Sequence, residues 1–145
     1  MPEALVESLY KALLSFAKER LARDGEFPPF GAALDPQGRM VSPSISYSGP
    51  IPQPEELVKL LNQSFREQAE AGEIQACGVC MDVLILPPGE EQRRDAICLE
   101  MEDATGDAVD IYVPYRKSPS GEVQYDEAFA TPRTPEIFVP PETVH

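Results

Sequence analysis

The sequence predicts an α+β fold: an antiparallel sheet of about five or six strands with two helices on one face, in the order α-β-β-α-β-β-β, with room for one strand more. Three observations carry this reading. Two segments repeat apolar residues at helical spacing, the strand-like segments come in groups that do not alternate with helices, and short Gly/Pro turns join successive strands. Short turns demand antiparallel neighbours, and grouped strands beside helices are the α+β pattern.

Residues 3–23 read as an amphipathic helix in which Leu5, Leu9, Leu13, Phe16, Ala17 and Leu21 recur at spacings of three and four. Asp24-Gly25 stops it. A hairpin follows, with strands over 27–34 and 39–47 around the turn Asp35-Pro36-Gln37-Gly38. Pro54, followed by Glu55 and Glu56, opens the second helix, because proline fits the first helical position and carboxylates favour the positive end of the helix dipole. Leu57, Leu60, Leu61 and Phe65 form its apolar stripe, and Ala71-Gly72 ends it. Strands are expected over 74–86, 95–101 and 108–115, and a short fourth over 122–129.

Alternation sorts these strands by face. Val79, Met81, Val83, Ile85, Ile97, Leu99, Met101, Val109, Ile111 and Val113 should lie under the helices. The opposite face should present Cys80, Asp82, Cys98, Glu100, Glu102, Asp110 and Tyr112. The expected core includes Leu9, Leu13, Phe16, Leu57, Leu61, Val83, Leu99 and Ile111.

The 145 residues suit a single domain over 1–145, with 131–145 as an extended Pro-rich tail anchored by Ile137 and Phe138. The formal net charge is −13. Residues 1–72 hold seven Lys/Arg against ten Asp/Glu, and residues 73–145 hold five against fifteen, so the second half carries −10. Such a surface repels phosphate backbones and anionic lipid, which disfavours nucleic-acid and membrane partners and favours a basic protein or a cation. The opening Met1-Pro2-Glu3 and the charges Glu7, Lys11 and Lys18 in the first apolar stripe give no secretory pattern, and three cysteines do not suit a disulfide framework. A cytoplasmic location is the expectation.

No catalytic constellation is readable. The single histidine is His145, so no positioned imidazole serves a Ser or Cys nucleophile, and histidine-based zinc chemistry has no basis. Cys77-Gly78-Val79-Cys80 has redox or zinc spacing, but on a strand its two sulfurs diverge, while Cys80 and Cys98 are expected to share the outer face. No glycine-rich phosphate loop occurs. Arg93-Arg94 and Arg116-Lys117 read as local balance for carboxylates. No cofactor and no metal site are expected.

Asp82, Glu100 and Asp110 make an expected carboxylate row across three strands, with Glu102 and Tyr112 beside it. Two functions follow. One is a non-enzymatic interaction or regulatory domain that meets a basic partner through these five residues, in the manner of an immunity protein that neutralises a basic toxin. The alternative is a small ligand-binding protein or a carboxylate enzyme dependent on Mg²⁺ or Ca²⁺. Carboxylates alternating on a sheet face also simply keep an open sheet in solution.

The segments EFPPFGAALDPQGR (26–39), ICLEMEDATGDAVDIYVPYRK (97–117) and GEVQYDEAFATPRTPEIF (121–138) together resemble a group of small uncharacterised bacterial proteins of roughly this length, a domain of unknown function. The resemblance covers most of the chain. It implies a bacterial cytoplasmic origin and transfers no catalytic residue.

Overall fold

The computed structural model describes residues 3–43 and 45–139, and side chains from residue 6 onward. The fold is α+β, in the order α1 (Glu3–Asp24), β1 (Phe30–Leu34), β2 (Met40–Val41), α2 (Pro54–Glu70), β3 (Ala76–Ile85), β4 (Arg94–Asp103), β5 (Ala108–Lys117), β6 (Val123–Tyr125) and β7 (Phe129–Pro132). The strands form one open antiparallel sheet in the order β2-β1-β3-β4-β5-β6, and β7 also pairs with β5.

Three hairpin turns share one design. Asp35, Asp103 and Ser118 each close a five-residue turn whose fourth residue is Gly38, Gly106 or Gly121, at φ 83°, 97° and 89°. Only glycine takes that left-handed conformation without steric cost. The side chain of the first residue completes the turn: Asp35 Oδ1 accepts from the Gln37 and Arg39 amides, both at 2.9 Å, Asp103 Oδ1 accepts from the Thr105 amide at 2.9 Å, and Ser118 Oγ accepts from the Glu122 amide at 3.2 Å.

The two helices lie on opposite faces of the sheet, not on one. Leu9, Leu13, Ala17 and Leu21 of α1 pack with Ala76, Cys80, Ile97, Leu99 and Met101. Leu57, Leu61 and Phe65 of α2 pack with Ala33, Cys77 and Val79 on the other side. β1 and β3 are therefore covered on both faces, and glycine lets each helix come close. A Cβ on Gly78 would stand 2.6 Å from a Leu13 methyl, and one on Gly31 would stand 3.0 Å from the Phe65 ring. α1 rests on β1, β3 and β4, and α2 on β1 and β3; β5 joins the α1-side core through Val113 and Tyr115, and Lys18 of α1 lies over the Tyr125 ring of β6.

The expected core is corrected at three places. Phe16 is 45% exposed, because it sits beside the i, i+4 stripe of α1 and reaches the sheet edge, where its ring meets Phe30 at 4.8 Å. Val83 and Ile111 are half-buried, since each lies where helix cover ends. The return strand expected over 39–47 is only Met40–Val41. The strand expected over 122–129 is interrupted into β6 and β7, and β7 continues into the segment expected as an extended tail anchored by Ile137 and Phe138, of which residues 140–145 lie outside the described residues.

Candidate functional site

The register of the sheet decides which carboxylates meet. β4 and β5 pair like with like: Glu100 faces Asp110, and Cys98 faces Tyr112. β3 and β4 pair an odd residue with an even one, Val79 with Glu100 and Asp82 with Ile97. Paired residues share a face. Glu100, Glu102, Asp110 and Tyr112 therefore stand together on the α2 side, while Asp82 stands on the α1 side, and the expected row across three strands does not exist. There the Tyr115 hydroxyl donates to Asp82 Oδ1 at 2.6 Å. Burial raises the pKa of Asp82, and the Tyr115 bond only partly opposes it.

The same register separates the thiols. Cys77 packs in the α2 cluster and Cys80 in the α1 cluster, as the strand period requires. Cys98 lies on the α2 side, so Cys80 and Cys98 do not share a face. All three are buried and free. Burial raises each thiol pKa, that of Cys98 to about 12. Thiols held protonated are poor nucleophiles and poor metal ligands.

Arg133, just beyond β7, is the hub of the α2-side cluster. Its Nε donates to Asp110 Oδ1 at 2.6 Å and its Nη1 to Glu102 Oε2 at 2.8 Å. Glu102 is no surface group: its side chain is 1% exposed. Its oxygens also accept from the backbone amides of Glu136, Ile137 and Phe138, the closest at 2.9 Å. A buried carboxylate is tolerable only when its lone pairs are filled this way. Glu102 thus ties residues 133–138 across the sheet, with Ile137 seated in the α2 cluster.

Glu100 is different. It is half-buried and accepts no hydrogen bond from any described residue. Burial raises its pKa first, the charge of Asp110 raises it further, and Arg133 opposes both. Asp110 is raised by burial against the pull of Arg133. Beside them the Tyr112 ring stacks on Phe129, centroids 5.3 Å apart and 24° between planes. Burial, followed by the neighbouring Cys98 and Asp110, pushes the Tyr112 pKa up to about 12. A shallow groove adjoins the stack, lined by Ile85, Leu86, Pro88 and Thr131 as well as both rings.

Of the five expected site residues, three stand together on the α2 side (half-buried Glu100 and Tyr112, with Asp110 bonded to Arg133), Glu102 is an internal anchor, and Asp82 is elsewhere. Arg133 and Phe129 escaped the sequence reading, although a lone arginine within the proline-rich stretch of an acidic half is a signal that a carboxylate waits for it. One residue of each basic doublet balances a carboxylate: Arg94 and Arg116 both pair with Asp126. Lys117 donates to the Gly25 carbonyl. Among the described residues no three His, Cys, Asp or Glu side chains are arranged to hold a metal ion, and no helix is long and apolar enough to cross a membrane. No family model matches the chain, and neither a curated protein nor a solved structure matches it.

Proposed function

We infer that this protein is a non-enzymatic interaction module that receives a basic side chain of a partner protein at Glu100 and Asp110, against the Tyr112–Phe129 stack. One observation carries the reading: Glu100 is half-buried beside a second carboxylate, and the nearby cation, Arg133, is bonded to Asp110 and Glu102. A cation from outside would relieve that repulsion. Its aliphatic stem would lie on the aromatic pair, as arginine does on ring faces. The charge of −13 would speed encounter with a basic surface.

The test is capture from the lysate of the native organism, at low and moderate salt, with wild type, Glu100→Lys and Asp82→Asn. Basic proteins retained by wild type should be lost with Glu100→Lys and at higher salt. Asp82→Asn, altered on the opposite face, should capture as wild type does. Retention of the same proteins by Glu100→Lys, or capture of no basic protein, would remove the reading.

A further inference from the structure

Glu100 and Asp110 are not sealed. Arg133 Nε takes Asp110 Oδ1, while Asp110 Oδ2 and both Glu100 oxygens receive no hydrogen bond from any described residue. Among the fully buried side-chain oxygens and nitrogens of the described residues only Gln68 Oε1 lacks a partner, so these three oxygens open to solvent. The charges acting on Glu100 are Asp110, Glu136 and Glu102 against the single cation Arg133, which leaves the spot acidic after its internal pairing. An apolar groove continues from there. Thr131 lies opposite Asp110, and Phe129 lies opposite Tyr112, one same-face step along the strands. Thr131 and the two stacked rings line a groove of about 370 Å³ together with Ile85, Leu86 and Pro88. Ile85 lies opposite Arg94, on the far side of the stack from Glu100. No charged side chain lines the groove among the described residues, and Leu86 is 54% exposed. Apolar walls with polar acceptors at one end select a ligand divided in the same way.

We propose, building on the recognition of a basic side chain at Glu100, that the partner protein places an arginine, not a lysine, at the three open oxygens and an aliphatic side chain of the same extended segment in the groove beyond the rings. A guanidinium is planar, so it forks between carboxylates and lies flat on an aromatic face, whereas an ammonium is a compact, strongly hydrated point charge. The spacing follows from the sheet. Same-face neighbours on a strand stand about 7 Å apart. The ring pair is one such step from the row of Glu100, Asp110 and Thr131, and the groove beyond the rings is a second, about 14 Å in all. Four residues of extended chain cover about 13 Å and return a side chain to the same face. Arginine and anchor therefore stand four positions apart, with the residue midway between them over the Tyr112–Phe129 stack.

The probes are synthetic peptides of about nine residues, too short to hold a helix, with one arginine and a leucine four positions along in a serine background. Three companions replace the arginine by lysine, replace the leucine by serine, or move the leucine next to the arginine, where it points to the other face. Affinities are read from amide chemical shifts of the labelled protein, titrated at low salt. The first peptide should shift residues around Glu100, Tyr112, Phe129 and Leu86, and each companion should bind about tenfold more weakly. Leu86→Ser, a change at an exposed position, should weaken the first peptide and leave the serine companion unchanged. Glu100→Gln should weaken every peptide, and Asp82→Asn, on the other face, should weaken none. Equal binding of the arginine and lysine peptides, or indifference to both the leucine changes and Leu86→Ser, would overturn the proposal and leave recognition at Glu100 standing. Binding by none of the peptides, or shifts that Glu100→Gln does not alter, would remove both.

Discussion

Replacing Glu102 by alanine should be among the most damaging single changes in this protein. The side chain supplies the acceptors for three successive backbone amides, 136 to 138, and for Arg133 Nη1. Removing one partner of a buried, hydrogen-bonded ion pair costs about 3–5 kcal/mol, because the other is left desolvated. The structure offers an escape that caps this loss: residues 133–138 can leave the sheet and rehydrate their donors. Escape has its own cost, since Ile137 gives up a buried site worth about 1.5–3 kcal/mol. The expected loss is therefore about 1.5–3 kcal/mol if the segment detaches, with about 3–5 kcal/mol as its ceiling if the segment stays. With a urea m-value of about 1–3 kcal/mol/M, the midpoint falls by about 0.5 M or more. Hydrogen exchange separates the two routes, because the amides of 136–138 lose protection selectively if the segment detaches. Glu102→Gln keeps one oxygen acceptor and should fall between alanine and wild type. A Glu102→Ala midpoint within about 0.3 M of wild type, together with unchanged exchange at 136–138, would refute the anchor.

Two further outcomes follow from the same geometry. Glu100 has its pKa raised in the folded state, so the native protein binds its proton to higher pH than the unfolded chain does, and stability falls as pH rises from the unfolded value through the folded one. Glu100→Gln should accordingly be more stable than wild type at pH 7, with the difference closing below about pH 4, as read from denaturation midpoints across pH. Gly78→Ala places a Cβ 2.6 Å from a Leu13 methyl and 2.7 Å from Met101 Sδ, and should destabilise by about 1–3 kcal/mol in calorimetry; an unchanged transition would show that α1 is free to move off the sheet.

The elements were legible because each was marked locally. The stripe Leu9-Leu13-Ala17-Leu21, the Pro54-Glu55-Glu56 start and the glycine-bearing turns name their structures without reference to the rest of the chain. The placement of the helices was not, because it depends on pairing. Reading β3 by the same parity as β4 put both helices on one face and Asp82 beside Glu100. The sequence held a contrary signal: Ala76 to Met81 runs apolar without alternation, the mark of a strand covered on both sides, whereas Glu100, Glu102 and Asp110 alternate in strands covered chiefly on one. The turn between β3 and β4 fixes the pairing, and a single residue more or less in that connection reverses every side chain relative to the next strand. Arg133 was hidden for another reason. Its partners, Asp110 and Glu102, lie 23 and 31 residues earlier, and no local pattern links a tail residue to a strand that distant.

The two carboxylates that remain accessible are informative through what they do to the fold. A sheet face bordered by a free edge can hold its charges in water at little cost, and Asp126 does so beside Arg94 and Arg116. Glu100 is instead half-buried and Asp110, with its side chain 16% exposed, sits deeper, the two opposite one another in register, with Arg133 bonded to Asp110. Replacing Glu100 by glutamine would relieve the repulsion and keep the shape, so the ionised form is expected to lower stability without supporting the architecture. Glu102 makes the contrast clear: equally acidic, one pleat along, it is fully hydrogen-bonded and holds the chain together. Under the proposed function, the compensation for that charge comes from a basic partner laid against the stacked aromatic pair. The stability gain and the binding loss of Glu100→Gln should therefore appear in one variant. A glutamine that stabilises and still binds would break the link between the strain at Glu100 and recognition of a basic partner.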